Sequence, residues 1–342
     1  TALAAGFGRG GVELWDVGKH QRIGTPIEVG EGYVTSVAFS PDGATLAAGF
    51  GCVGVELWDV AKHQRIGTPL QVGEGYVTSV AFSPDGATLA AGFSATVAAG
   101  SSGGIVHVGG VELWDVGKHQ RIGTPLQVVE GGVMSVAFSP DGATLAVRFG
   151  VGVVLWDVGK HQRIGTPLQV EGGVWSVAFS PDGDTLALGF GGGVVLWDVG
   201  KHQRIGKPLQ VEGDVRSVAF SPDGATLAAG FGGGGVDLWD VAKHQRVVTP
   251  LQMEGIVKSM AFSPDGKTIA TGFEGVERGV ILVDVDVDSW EHRACRIANR
   301  NLSREEWVQF IGSDIPYRRL CPDLPDFKGG TETFEGGGTE SD

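Results

Sequence analysis

Along residues 215–221, Val-Arg-Ser-Val-Ala-Phe-Ser, small and large side chains alternate, with Val215, Ser217 and Ala219 on one face and Val218 and Phe220 on the other. Neither face is polar, which predicts a strand packed between two sheets. Ser221-Pro-Asp-Gly224 then supplies a reversal. Proline presets φ, aspartate can bond the backbone just ahead, and glycine accepts the positive φ that closes a hairpin. A second strand is predicted over Thr226–Phe231, and a glycine run leads to a third over Val236–Val241. Its Trp239 is large enough to fill the space between neighbouring sheets, and Asp240 is placed to accept backbone N–H groups of the next turn. Val247–Met253 forms the fourth, outermost strand, with Pro250 where an edge strand tolerates it.

This unit is written repeatedly. Leu-Trp-Asp recurs with Trp at 15, 58, 114, 156, 197 and 239, and Ser-Pro-Asp-Gly with Pro at 41, 84, 140, 181, 222 and 264. A period of about 41 to 43 residues marks a repeat architecture. Four antiparallel strands that cannot bury their faces alone predict blades stacked around an axis. The expected fold is an all-β, seven-bladed propeller over residues 1–287. Residues 2–29 give an incomplete first blade without its inner strand. Five full blades follow at 33–72, 74–128, 132–170, 173–211 and 214–253, and 256–285 give a last blade without an outer strand. A Ser, Ala and Gly-rich insertion at 94–110 accounts for one long interval. Helical signals begin after Val287: Asp288 with Glu291 and Ser303 with Glu306 form capping boxes, Leu302 and Trp307 a hydrophobic staple, and Gly312 a stop. A two-helix cap is therefore expected over 288–328, followed by an acidic tail over 329–342 too polar to fold.

With Ser-Val-Ala-Phe-Ser-Pro-Asp-Gly and Leu-Trp-Asp in hand, the sequence resembles the WD-repeat β-propeller family over residues 1–287. The near-identical copies, Ala294–Leu302 and Glu306-Trp307 are similar to the C-terminal WD-repeat arrays of large bacterial signalling proteins. The family resemblance implies a non-enzymatic scaffold for a protein or peptide. The second resemblance implies a sensor module whose nucleotide-binding or protease-like effector lies upstream, and Thr1, which falls in mid-unit, reads as the start of a fragment. Two family positions differ here: Gly-His before the inner strand is replaced by Glu-Gly or Gly-Gly, as at Glu171-Gly-Gly, and the Asp between the second and third strands is replaced by glycine. The family's buried His, Asp, Ser/Thr and Trp network then cannot form, and the tryptophan loses those partners.

Composition narrows the function. A net charge of -14 with no basic stripe argues against nucleic acid as partner. No apolar run approaches the length a bilayer needs, and three cysteines are too few for a disulfide framework, so a reducing, cytoplasmic setting is expected. Cys295 and Cys321 read as packed thiols, with a disulfide the alternative in an oxidising compartment. Histidines at 20, 63, 119, 161, 202 and 244 lie in His-Gln-Arg turns. Stacked sheets about 10 Å apart keep them from sharing an ion, so they are read as solvated turn residues. No metal, cofactor or catalytic residue is expected, since no nucleophile and base fall at a useful spacing and the glycine runs lack the Lys-Ser/Thr of a phosphate loop.

The copies differ most at the start of the inner strand: Tyr33 and Thr35, Tyr76 and Thr78, Gly132 and Met134, Gly173 and Trp175, Asp214 and Arg216, Ile256 and Lys258. Aromatic, Met and Arg side chains are enriched in interface cores. The partner-binding candidates are therefore Tyr33, Thr35, Tyr76, Thr78, Met134, Trp175, Asp214, Arg216 and Lys258. Drift at exposed positions gives the same pattern, and the sequence alone leaves both readings open.

Overall fold

The computed structural model describes residues 2–286 apart from 8–10, 30–31, 52–53, 74, 100–103, 129–130, 151, 248–250, 254 and 276–277. Beyond these it describes only Ser289, Asn301, Ser303, Arg304, Arg319 and Cys321. The chain divides into two compact units, Thr1–Val283 and Asp284–Asp342.

The first unit is an all-β propeller of antiparallel sheets. Its first sheet pairs Ala2–Phe7 with Gly11–Asp16, and two short pieces, Gln21–Arg22 and Ile27–Glu28, complete the far edge. Three regular four-stranded sheets follow: Val34–Phe39, Thr45–Phe50, Gly54–Asp59 and Gln64–Leu70; Tyr76–Phe82, Thr88–Ala99, Gly104–Asp115 and Gln120–Val128; and Val133–Phe138, Thr144–Phe149, Gly152–Asp157 and Gln162–Gln169. The next sheet has seven strands, from Val174–Phe179 through Thr185–Asp198, Gln203–Phe220, Thr226–Phe231 and Gly235–Asp240 to the short Gln245–Arg246 and Leu251–Gln252. A three-stranded sheet, Ile256–Phe262, Thr268–Glu274 and Arg278–Asp284, ends the unit.

These findings correct the expected seven blades and helical cap. The strands form six hydrogen-bonded sheets, because Gln203–Phe220 crosses from one repeat into the next without a break. Buried Val211 and Val215 flank the crossing, Gly213 adopts φ +126°, and Asp214 stays paired with Gly191, so no turn forms between them. No helix stands among the described elements, and the expected cap over 288–328 and tail over 329–342 lie almost wholly outside the described residues. The insertion at 94–110 is not a loop on the blade: Ser94 pairs with Gly109 and Ala99 with Gly104, so it lengthens both strands of one hairpin. In the second unit, buried Asn301 exchanges two hydrogen bonds with the backbone of Cys321, at 2.8 and 2.9 Å. Cys321 is disulfide-bonded rather than a packed thiol, which withdraws the cysteine argument for a reducing compartment.

Within each repeat the reversal forms as its residues dictate. At Ser180-Pro-Asp-Gly183, Ser180 Oγ and the Asp184 N–H both donate to Asp182 Oδ1, at 2.5 and 3.0 Å, and Gly183 takes φ +81°. The Leu-Trp-Asp aspartates accept from the turn that follows, as Asp198 does from the Lys201 N–H at 2.8 Å and its ammonium at 2.7 Å. The tryptophans pack against the neighbouring sheet, with Trp156 and Trp239 8 % exposed. The indole N–H groups of Trp58, Trp114, Trp156, Trp197 and Trp239 meet no acceptor among the described residues. Three rings are instead overlain by arginine, at 5.4 Å for Arg163 on Trp156, 5.7 Å for Arg204 on Trp197 and 5.3 Å for Arg246 on Trp239.

Sheets meet through two recurring contacts. On the inner side, the glycine of most second strands makes room for two side chains of the next inner strand: a Cβ built on Gly49 would lie 2.7 Å from Val77 and 3.2 Å from Val80. The inner-strand serine then accepts a backbone N–H from that next strand, as Ser36 Oγ does from Val80 at 3.1 Å and Ser217 Oγ from Met260 at 3.0 Å. On the outer side five of the six turn histidines are not solvated, contrary to expectation; His20 is exposed. All six hold φ between 52° and 55°, a left-handed conformation uncommon outside glycine. From His63 onward each ring is half-buried against the outer-strand glycine of the preceding repeat, so that a Cβ on Gly165 would come within 2.6 Å of His202 Cε1.

Two outcomes follow. Gly165→Ala forces both a left-handed alanine, at about 1–2 kcal/mol, and a clash with His202. Urea unfolding should show it destabilised, and the Gly165→Ala/His202→Ala double variant less so than the sum of the two single changes. Serine hydroxyls hold Asp42, Asp85, Asp141, Asp182, Asp223 and Asp265 below the usual carboxylate range. Lysine ammonium groups hold Asp59, Asp115, Asp157, Asp198 and Asp240 low in the same way. Depressed carboxylates add stability that is complete above the unfolded value near 4 and lost as pH falls through the folded values. Thermal melts should therefore hold steady from pH 7 to about 5 and drop steeply below about pH 4.

Candidate functional site

The second of the two positions at which the repeats differ occupies the same structural feature in each inner strand. In every inner strand the pairing with the second strand slips by one residue: Val34 opposes Phe50 and Ser36 opposes Gly49, which leaves Thr35 extra. The same slip leaves Thr78, Met134, Trp175, Arg216 and Lys258 as the extra residues of their strands. A bulge of this kind frees one side chain from the pleat and re-aims it at the rim of the sheet. Six inner strands, each packed on the next, thus present one variable side chain apiece.

Their environments divide them. Thr35 and Thr78 donate their hydroxyls back to the carbonyls of Gly49 and Gly92, at 3.0 and 3.1 Å, and so stabilise their own bulges. Met134 is 49 % exposed and Trp175 38 %, while Tyr33 and Tyr76, two residues before their bulges, are 64 % and 44 % exposed. Lys258 pairs with Glu274 at 3.0 Å on its own sheet. Asp214 and Arg216 form an ion pair at 3.0 Å.

Only part of the candidate set comes together. Arg216 lies over the Trp175 ring with its guanidinium carbon 3.9 Å from the centroid, and Arg148 approaches the same ring at 5.6 Å. Arg148, buried at 7 % exposure, donates its Nε to the carbonyl of Val174. Burial, and then the charge of Arg216, push the Arg148 guanidinium down to about 10. Tyr33, Tyr76, Met134 and Lys258 have no described contact with this cluster. Arg148 was not among the candidates, yet the sequence carries its signal: Leu-Ala-Val-Arg-Phe at 145–149 stands where the other repeats read Leu-Ala-Ala-Gly-Phe, Leu-Ala-Leu-Gly-Phe or Ile-Ala-Thr-Gly-Phe, all with glycine at that position.

The cluster brings two guanidiniums and one carboxylate around an exposed indole on a chain that is strongly acidic overall. Such an arrangement binds flat apolar groups and carboxylates, through cation–π stacking and charge-assisted hydrogen bonds. It holds no nucleophile. No group of three or more His, Cys, Asp or Glu suited to a metal ion occurs among the described residues, and no helix there is long and apolar enough to cross a membrane.

The sequence matches the family described as WD domain, G-beta repeat, over residues 24–53, 67–108, 164–198, 206–240 and 248–282, about half of the chain. Five stretches carry the family signature, a count that again replaces the expected seven. No curated protein matches the sequence. Among solved structures, a chain of Kuenenia stuttgartiensis hydrazine synthase superposes with a TM-score of 0.68 at 19 % identity, covering 81 % of this chain and 90 % of that one. At that identity the likeness is one of fold alone.

The division between bulge residues is measurable. Thr78→Val removes a hydrogen bond and should cost about 1 kcal/mol in chemical denaturation. Met134→Ala, which removes only an exposed side chain, should stay within about 0.5 kcal/mol.

Proposed function

Since the chain belongs to the WD-repeat family, whose propellers typically serve as protein-interaction scaffolds and are generally not enzymes, we propose that it docks a protein or peptide partner across the face ringed by its inner-strand bulges. The observation that carries this reading is the placement of every variable bulge residue at the same step of consecutive inner strands, while the turns and cores between them barely vary. Trp175, flanked by Arg148 and Arg216, is the anchor. A partially exposed indole held between two cations buries a large apolar area at small conformational cost, which is the usual composition of a binding hot spot. Met134 and the two tyrosines extend the contact around the face. The excess of guanidinium over carboxylate at the anchor favours an acidic residue on the partner, and the overall charge of -14 favours a protein over a nucleic acid.

A peptide library displayed on phage and panned against the full chain tests this. Selected peptides should carry an acidic residue beside an aromatic or aliphatic one and lose at least tenfold in affinity on Trp175→Ala or Arg216→Ala, with the β-sheet circular dichroism of the variants unchanged. Their affinity should also fall as salt is raised from 50 to 500 mM. Equal binding by wild type and Trp175→Ala would move the docking face elsewhere.

A further inference from the structure

Two departures from the repeat pattern meet at one ring. Arg148 stands on the second strand of the repeat over 132–170, opposite Ser135, at the step where Gly49 stands opposite Ser36. Arg216 is the bulge residue of the repeat over 214–253, where the first two full repeats carry Thr35 and Thr78. Trp175 lies on the inner strand of the repeat between them. Three consecutive repeats thus contribute one side chain each, and both guanidinium carbons lie within 5.6 Å of the ring centroid.

The hydrogen bonds of these two guanidiniums are incomplete, although each carries five N–H donors. Arg148 spends its Nε on the Val174 carbonyl, and its two Nη groups meet no acceptor among the described residues. Arg216 donates from Nη2 to Asp214 at 3.0 Å, while its Nε is buried without an acceptor. Burial and the charge of Arg216 both disfavour the Arg148 cation, yet at about 10 it stays protonated at neutral pH. Two cations beside one carboxylate leave a local excess of positive charge on a chain that carries -14 overall. Donors held in this way, shielded from water and without acceptors, cost stability that the oxygens of a ligand can restore.

A single carboxylate is saturated by one guanidinium fork, and Asp214 already brings one to Arg216. The remaining donors match a group with three acceptor oxygens and nearly two negative charges, which is a phosphoryl group. The geometry points to a phosphoryl subsite formed by Arg148 and Arg216 beside Trp175, occupied by a phosphorylated side chain of the docked partner. This rests on the docking face proposed above and names what switches it: phosphorylation of the partner. Arg148 offers its two Nη groups, and Arg216 the donors that Asp214 leaves over. The Val174 carbonyl holds the first fork and the indole of Trp175 the second, so both are ordered before the ligand arrives.

The probe is an array of short peptides with phosphoserine, glutamate or serine fixed at the centre and the flanking positions varied. It is overlaid with the full chain, and the best sequences are then measured in solution. The phosphoserine form should bind at least about tenfold more tightly than its glutamate counterpart. Arg148→Gly, which restores the residue found at this step of every other repeat, should erase that difference while the circular dichroism of the chain stays unchanged. Phosphoserine affinity should rise with pH through about 6, where the phosphate becomes a dianion, and glutamate affinity should not. Equal binding of the two forms, no loss on Arg148→Gly, or a phosphoserine affinity that is flat across this pH range would each overturn the inference. Equal affinity for inorganic phosphate would overturn it too, by making the free ion the ligand. Glutamate peptides that still need Trp175 would in those cases leave the docking face in place, whereas if no peptide binds, both fall.

Discussion

Each sheet of this protein is finished by the next one. The glycine on a second strand is viable only because a neighbouring inner strand brings two valine-sized side chains into the room it leaves, and the inner-strand serine only because a neighbouring N–H needs an acceptor. An isolated repeat would expose a trough of alanine and glycine along its second strand and an unpaired hydroxyl on its first. Stability is thus a property of junctions more than of sheets, as is general for arrays whose units touch only their neighbours. The histidine turns obey the same rule from the outside, since their left-handed backbone is tolerable when the ring has a glycine to rest upon.

Much of this was legible in the residues. Ser-Pro-Asp-Gly encodes its turn through rigid local chemistry, and the turn forms wherever the motif stands. Trp and the alternating Val, Ala and Phe positions mark the strands for the same reason, because burial on both faces leaves a pattern that survives any detail of the junction. What depends on non-local contact was not legible. A bulge adds one residue without altering composition, so period-2 reading saw variable side chains but not why they share one orientation. The histidines look polar and turn-like, and the burial of the five from His63 onward depends on a glycine 37 to 52 residues earlier. Continuity of Gln203–Phe220 through Glu212-Gly213-Asp214 likewise contradicts the loop that its glycine and charges suggest.

The site shows the complementary lesson. Trp175 and Arg216 stood out because they break an otherwise uniform repeat, and proximity makes them one feature. Arg148 breaks the repeat just as visibly but in a strand read as core, where an arginine is unexpected. It is tolerated because its Nε finds a carbonyl of the adjacent sheet and its charge lies against an aromatic face. In a repeat protein, departure from the consensus at a buried position thus carries as much information as departure at an exposed one.

The uniformity of the glycine-on-valine contact has an evolutionary consequence. Because nearly every junction uses the same two surfaces, any repeat can follow any other, and loss or duplication of a whole repeat leaves the remaining junctions chemically unchanged. Unit number can then vary among descendants by recombination within the gene without new packing having to be invented, and selection is free to act on the few rim residues that each copy does not share.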